Sequence, residues 1–257
     1  MPFFKPFPRF VFGGASKFRS LLNQMSSTID INQENSPVFA ADNMILIGKT
    51  AGFLRDDNFV RIANKYFLGD ELHSSIIWRI QILAWAIDSC KTLEGDFIEF
   101  GCYDGVVADF LIDYNKIAKL NKIFYLYDVF DNPPTAKAEK HSPELYSEVK
   151  ERMSKHPFVR VIPGLLPDSF KDNSSKKLAF VHLDLNSAET ETDILELCFH
   201  KIVPGGILIL DDFGFMGYED QYFEEKEFFK NLGYTVVELP TGQGMVIKRW
   251  INYLLIQ

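Results

Sequence analysis

GGILILDDFG, residues 205–214, runs four apolar residues after a glycine pair and halts on two aspartates, Asp211 and Asp212. Ile207, Leu208, Ile209 and Leu210 show no polar alternation, so a strand here has both faces covered, the habit of parallel sheets packed between helices. The aspartates then sit at its C-terminal edge, where open α/β sheets bind ligands. Two adjacent carboxylates repel each other, and a cation, a donor array or water must offset that cost. A solvated loop start, with Asp212 capping the next helix, has the same local sequence, so the surrounding chain has to decide.

Outward from that strand, short apolar runs alternate with helical patterns from Gly95 onward. DFIEFG (96–101) precedes a helix from about Val106, and KIFYLYD (122–128) precedes one through LYSEVKERM. FVRVIPG (158–164) follows, then KLAFVHLD (177–184) with a helix through ETDILELCF, and GGILILDD with FEEKEFFKNLG. This alternation predicts a doubly wound, Rossmann-like α/β sheet. YTVVEL and GMVIKR are separated only by PTGQ, a gap that allows only an antiparallel pair, so the sheet is expected to end with a reversed strand. Residues 41–94 read as a helical region, with Ile76, Ile77, Ile80, Leu83, Ala84 and Ile87 along one face.

The 257 residues, 47% hydrophobic and 24% charged, suffice for one sizeable α/β domain (95–257) with an extension. A net charge of −8 argues against a phosphate-tracking surface, so nucleic acid is not an expected partner. Cys90, Cys102 and Cys198 are odd in number and lack metal spacing, which suits reduced thiols and a cytoplasmic location. Residues 1–40 read as a loosely packed arm. Its start, MPFFKPFPRFVFGG, is broken by prolines and charges and supplies neither a signal-peptide core nor a spanning helix. Its phenylalanines are expected to dock on the chain's own body or on a second subunit. With the apolar tail WINYLLIQ they make a homo-oligomer plausible, and no membrane partner is expected.

Three strand ends carry the chemistry. FIEFGCYDG leads through Glu99, Gly101 and Gly105 into a helix whose N-terminal N–H groups face a ligand that the glycines let approach. The dinucleotide fingerprint would need a glycine where Tyr103 stands, so a pyrophosphate cradle is disfavoured. Asp128 ends the next strand, the place from which a carboxylate accepts ribose hydroxyls. Asp184, in FVHLDLN, ends the strand expected beside the one closed by Asp211 and Asp212. Parallel neighbours lie about 4.8 Å apart, so the three carboxylates converge on one point and favour a hard cation such as Mg²⁺. Asp211→Asn is expected to leave the fold sound or, without metal, slightly more stable.

Glu99-x-Gly101-x-x-x-Gly105, Asp128 in YDVFDNPP, PGLLPDSF (163–170), HLDLNSAET (182–190) and KIVPGGILILDDFG together resemble the macrocin O-methyltransferase family. That resemblance implies an S-adenosylmethionine-dependent enzyme that methylates sugar hydroxyls. It places Glu99, Gly101, Tyr103, Gly105 and Asp128 at the methyl donor. It also implies that Asp184, Asp211 and Asp212 hold a divalent metal binding neighbouring substrate hydroxyls, under cover of the helical region 41–94. Members often read Leu-Asp-x-Asp-Leu-Tyr where this chain has Asn186, Ser187 and Ala188 at the second acid, the Leu and the Tyr.

Methyl transfer from a sulfonium needs an oxygen held in line and made more anionic, which a chelating Mg²⁺ achieves. Asp184 is the expected proton acceptor, with His141, in the long segment between the second and third strands, the other candidate. His182 lies on the face of Asp184 but deeper and reads as a hydrogen-bonded core residue, whereas His73, His156 and His200 read as surface positions. Other readings are a catechol-like aromatic diol O-methyltransferase, matched by Glu99, Gly101, Tyr103 and Gly105, and a non-catalytic S-adenosylmethionine-binding homologue. A dehydrogenase would want the missing dinucleotide glycines.

Overall fold

The computed structural model describes Gln24 and residues 38–130, 141–142, 144–173 and 175–250. The expected N-terminal arm thus lies outside the described residues except for Gln24 and Val38–Ala40, as does the apolar tail beyond Trp250. The chain divides into two compact units at Ile82/Leu83, inside one helix.

In the first unit, β1 (Val38–Ala41) pairs antiparallel with β2 (Met44–Ile47). The helical reading from Ala41 missed this hairpin. Its two-residue turn, Asp42-Asn43, has φ of +47° and +58°, the left-handed pair that matches strand twist and that Asp and Asn tolerate. Helix α1 (Asp57–Phe67) starts where the Asp56 carboxylate accepts from the N–H groups of Asn58 and Phe59. Asp70 caps α2 (Glu71–Ser75) in the same way. Helix α3 spans Ile77–Cys90. Near its start, Arg79 donates to Asp42 at 2.6 and 3.0 Å, a buried two-point pair. His73 is buried, not a surface residue: its ring sits 2.6 Å from Asp70 and stacks on Phe67.

The second unit holds β3 (Asp96–Phe100), α4 (Val106–Tyr114), β4 (Phe124–Asp128), α5 (Leu145–Met153), β5 (Val159–Pro163) and α6 (Asp168–Asn173). It continues with β6 (Leu178–Leu183), α7 (Ala188–Cys198), β7 (Ile202–Leu210), α8 (Glu219–Asn231), β8 (Val237–Glu238) and β9 (Gly244–Ile247). The seven strands follow the order β5-β4-β3-β6-β7-β9-β8. All pairs from β5 to β7 are parallel, while β9 runs antiparallel to both β7 and β8. The reversed strand is therefore inserted between β7 and β8 and leaves β8 at the edge.

The apolar runs dictate this layering. Every residue of β6 is buried, as are Ile207 to Leu210 of β7, because helices cover both faces. Phe97, Phe124 and Phe180 sit on three adjacent strands and pack edge to face at 6.1–6.2 Å. Each such buried ring or aliphatic side chain contributes roughly 1.5–3 kcal/mol over exposure. Among the described residues, no helix is long and apolar enough to cross a membrane.

Strand order reverses between β3 and β6, since β4 and β5 extend to one side and β7 to the other. Ligands of open α/β sheets bind at the carboxyl ends beside such a switch point.

Candidate active site

Register aligns the strand ends. Tyr127, Phe100, Leu183 and Leu210 are successive neighbours across β4, β3, β6 and β7. The next residue on each strand is therefore Asp128, Gly101, Asp184 and Asp211, a row along the carboxyl edge. Backbone bonds continue the sheet to that row: Gly101 N–H donates to Tyr127, Asp184 N–H to Phe100 and Asp211 N–H to Leu183, at 2.8–2.9 Å.

The two glycines of the first strand end serve the fold itself. Gly101 has φ +87°, and a Cβ there would lie 1.8 Å from the Asp184 carbonyl oxygen, so β3 and β6 approach each other only because this residue has no side chain. Gly105, at φ +69°, would meet Met153 and Val149 of α5 at 3.1–3.3 Å. The expectation that these glycines make room for a ligand is thus joined by a stricter demand, chain against chain. Tyr103, between them, holds φ +47°.

Asp128 is buried and accepts three hydrogen bonds: from Tyr103 N–H at 2.7 Å, Phe130 N–H at 3.0 Å and His141 Nε2 at 3.1 Å. His141 therefore sits at the end of β4, with its ring 5.7 Å from that of Tyr103. Glu99, one turn of the pleat below Gly101, is also buried, and its Oε2 has no hydrogen-bond partner among the described residues. A buried carboxylate oxygen without a donor suits a cationic ligand group, because leaving it so costs about 1–3 kcal/mol.

On the other side of the switch point, His182, Asp184 and Asp211 bring ligand atoms within 4.8 Å of one another. Glu99 and His182 are cross-strand partners, which sets His182 Nδ1 2.9 Å from Glu99 Oε1. His182 Nε2 lies 3.4 Å from Asp211 Oδ1. Burial opposes a charge on this ring, yet hydrogen bonds to Asp211 and Glu99 and the negative charges of both raise it to about 10. A carboxylate at each nitrogen favours the protonated form of the ring. Asp212 is half-buried, lies in the bend that follows β7 and is outside the 4.8 Å group. Its charge is felt by Glu225 on α8.

The loop after Asp184 is clamped from two helices. Leu185 N–H donates to Glu191 Oε1 at 2.9 Å, and Gln221 Nε2 donates to the Leu185 carbonyl and to Glu191 Oε2, both at 2.8 Å. Asn186, at the altered second acid, accepts from the Tyr218 hydroxyl at 2.6 Å. Asp211 also accepts from Gln243 Nε2 at 2.8 Å. Sequence reasoning missed Gln243, Gln221 and Glu191 because no local pattern marks them. It placed His182 correctly in depth, and the spacing of two from Asp184 was the signal that it belonged beside the acids.

A switch-point sheet with an inserted reversed strand and acids along its carboxyl edge defines a Rossmann-like methyltransferase. Solved methyltransferases share this fold. The TDP-rhamnose 3'-O-methyltransferase CalS11, an enzyme in calicheamicin biosynthesis, is 15% identical, with 95% of this chain and 98% of that one covered at a TM-score of 0.57. The O-methyltransferase NovP is 16% identical, with 68% and 81% covered at 0.56. PaMTH1 of Podospora anserina is 11% identical, with 95% and 100% covered at 0.55. A search of curated protein sequences gave no significant match. The chain belongs to the macrocin O-methyltransferase family (TylF), whose model matches residues 78–232, more than half its length. It is an S-adenosylmethionine-dependent O-methyltransferase.

Proposed function

We propose that this enzyme methylates a hydroxyl of a sugar or glycosylated small molecule, with a divalent cation chelating two neighbouring hydroxyls. The observation that carries this reading is the convergence of Asp184 and Asp211 at adjacent strand ends. Their oxygens are the hard donors that Mg²⁺ prefers. Asp212, which the resemblance adds, has to turn toward the cation to complete the set.

When bound, the cation makes a chelated hydroxyl more acidic and fixes its direction. The residues of the chain do the rest. Glu99 offers its unpartnered oxygen to the amino group of the methyl donor, and Asp128 receives the ribose hydroxyls. Asp184, half-buried at the metal, takes the proton from the acceptor hydroxyl. His141 is tied to Asp128 on the donor side, which leaves Asp184 the better placed of the two candidate bases. Three buried thiols suit a reducing cytoplasm.

The test is methyl transfer from labelled S-adenosylmethionine to a panel of nucleotide sugars, glycosides and catechols, with and without Mg²⁺. CalS11 acts on TDP-rhamnose, which makes deoxysugar nucleotides the first to try. Turnover of catechols alone would replace the sugar reading. Donor binding without turnover on any acceptor would favour a non-catalytic homologue, a reading that Asn186 at the second acid keeps open.

A further inference from the structure

We propose that Gln243, in the turn between the last two strands, is a positioning residue for the metal ligand Asp211. The inference rests on the cation reading above and adds a part of the chain that reading does not use.

Gln243 is fully buried and immediately precedes β9. The pairing of Leu210 with Gly244 brings it beside Asp211, which follows Leu210. Its Nε2 donates to Asp211 Oδ1 at 2.8 Å, and its Oε1 accepts from the buried Thr241 hydroxyl at 3.0 Å. These two bonds fix the amide orientation, because a carboxylate can only accept and the Thr241 hydroxyl donates to the other end. His182 Nε2 approaches the same Asp211 oxygen from the opposite flank, at 3.4 Å. Asp211 Oδ1 is therefore held between two donors, which sets the plane in which the carboxylate meets a cation.

The turn is built to keep this contact. Gly214 N–H donates to the Gly242 carbonyl at 2.7 Å, joining the loop after Asp211 to the loop before Gln243. Gly242, at φ +84°, leaves room for the Phe215 ring, which a Cβ would meet at 2.2 Å. A glutamine that merely filled the turn would need no donor aimed at a carboxylate.

The test measures Mn²⁺ affinity by electron paramagnetic resonance of the free ion and, in parallel, S-adenosylhomocysteine affinity by calorimetry. Gln243→Met keeps the size and removes the donor, and it should weaken Mn²⁺ by about 10- to 100-fold with the homocysteine adduct still bound as in wild type. Thr241→Val should weaken Mn²⁺ in the same direction, and Thr241→Ser should restore it, a rescue that a space-filling role does not predict. Wild-type Mn²⁺ affinity in both Gln243→Met and Thr241→Val would overturn the role of Gln243 alone. Absence of Mn²⁺ binding in the wild type would overturn the cation reading, and this inference with it.

Discussion

Glu191 on α7 and Glu225 on α8 bury their carboxyl groups against each other, at 3% and 1% exposure. Both Glu191 oxygens accept, from Leu185 N–H and Gln221, while neither Glu225 oxygen has a donor among the described residues. Two such carboxyls coexist because burial favours their neutral forms. Burial pushes Glu225 up to about 8, the neighbouring Glu191 pulls it down and the charge of Asp212 adds to the rise. Burial, then the charge of Glu225, raises Glu191 well above the carboxylate range.

The native state therefore holds a proton that the unfolded chain releases near 4.5. That contribution is complete below about 4.5 and is lost as pH rises through about 8. Denaturation followed by calorimetry should show Tm falling across this window. Glu225→Gln supplies a permanent donor to Glu191 and should flatten the fall, gaining roughly 2–4 °C for each kcal/mol regained above pH 8. Parallel curves for the two proteins would dismiss the buried proton on Glu225.

Asp128→Ala should weaken S-adenosylhomocysteine by about 1–3 kcal/mol, since it removes a charged acceptor and strands the N–H groups of Tyr103 and Phe130. Asp128→Asn keeps an acceptor and should lose less. Unchanged affinity in the alanine variant, read by titration calorimetry, would take Asp128 out of the donor site.

His141→Ala separates two roles. Asp128 Oδ1 already accepts from Phe130 N–H and His141, so a ribose hydroxyl competes with the histidine for that oxygen. The variant should bind S-adenosylhomocysteine several-fold tighter, the scale of one net hydrogen bond, with kcat within a few-fold of wild type. A kcat collapse at unchanged affinity would return His141 to the role of base.

Metal removal by EDTA should abolish turnover, and Mg²⁺ should restore it, with donor affinity nearly intact. Asp211→Asn should cost activity by orders of magnitude. The sequence suggested that losing this charge would leave the fold sound or slightly firmer. Two contacts argue for the opposite sign: Asp211 accepts from Gln243 and lies 3.4 Å from His182 Nε2, and weakening those contacts should cost about 1–3 kcal/mol of stability. Full activity of the metal-free enzyme would end the metal assignment.

The sequence by itself determined the parallel sheet, the reversed last strand and the strand ends that carry acids. Those features are local: an apolar run without alternation needs two covers, and PTGQ is too short for a crossover. The convergence of Asp184 and Asp211 was legible too, because neighbouring parallel strands have a fixed spacing. The hairpin at Asp42-Asn43 was hidden in a stretch whose apolar residues also suit a helix. Only the tertiary structure decided which way side chains face beyond the strand ends. It set Asp212 outside the group of Asp184 and Asp211, tied His141 to Asp128, placed His182 between Glu99 and Asp211, and brought Gln243 from the last turn onto Asp211. Each of these depends on strand order and register, which pair residues 13 to 83 positions apart, and on burial, which sets a side chain's charge only once its neighbours are in place.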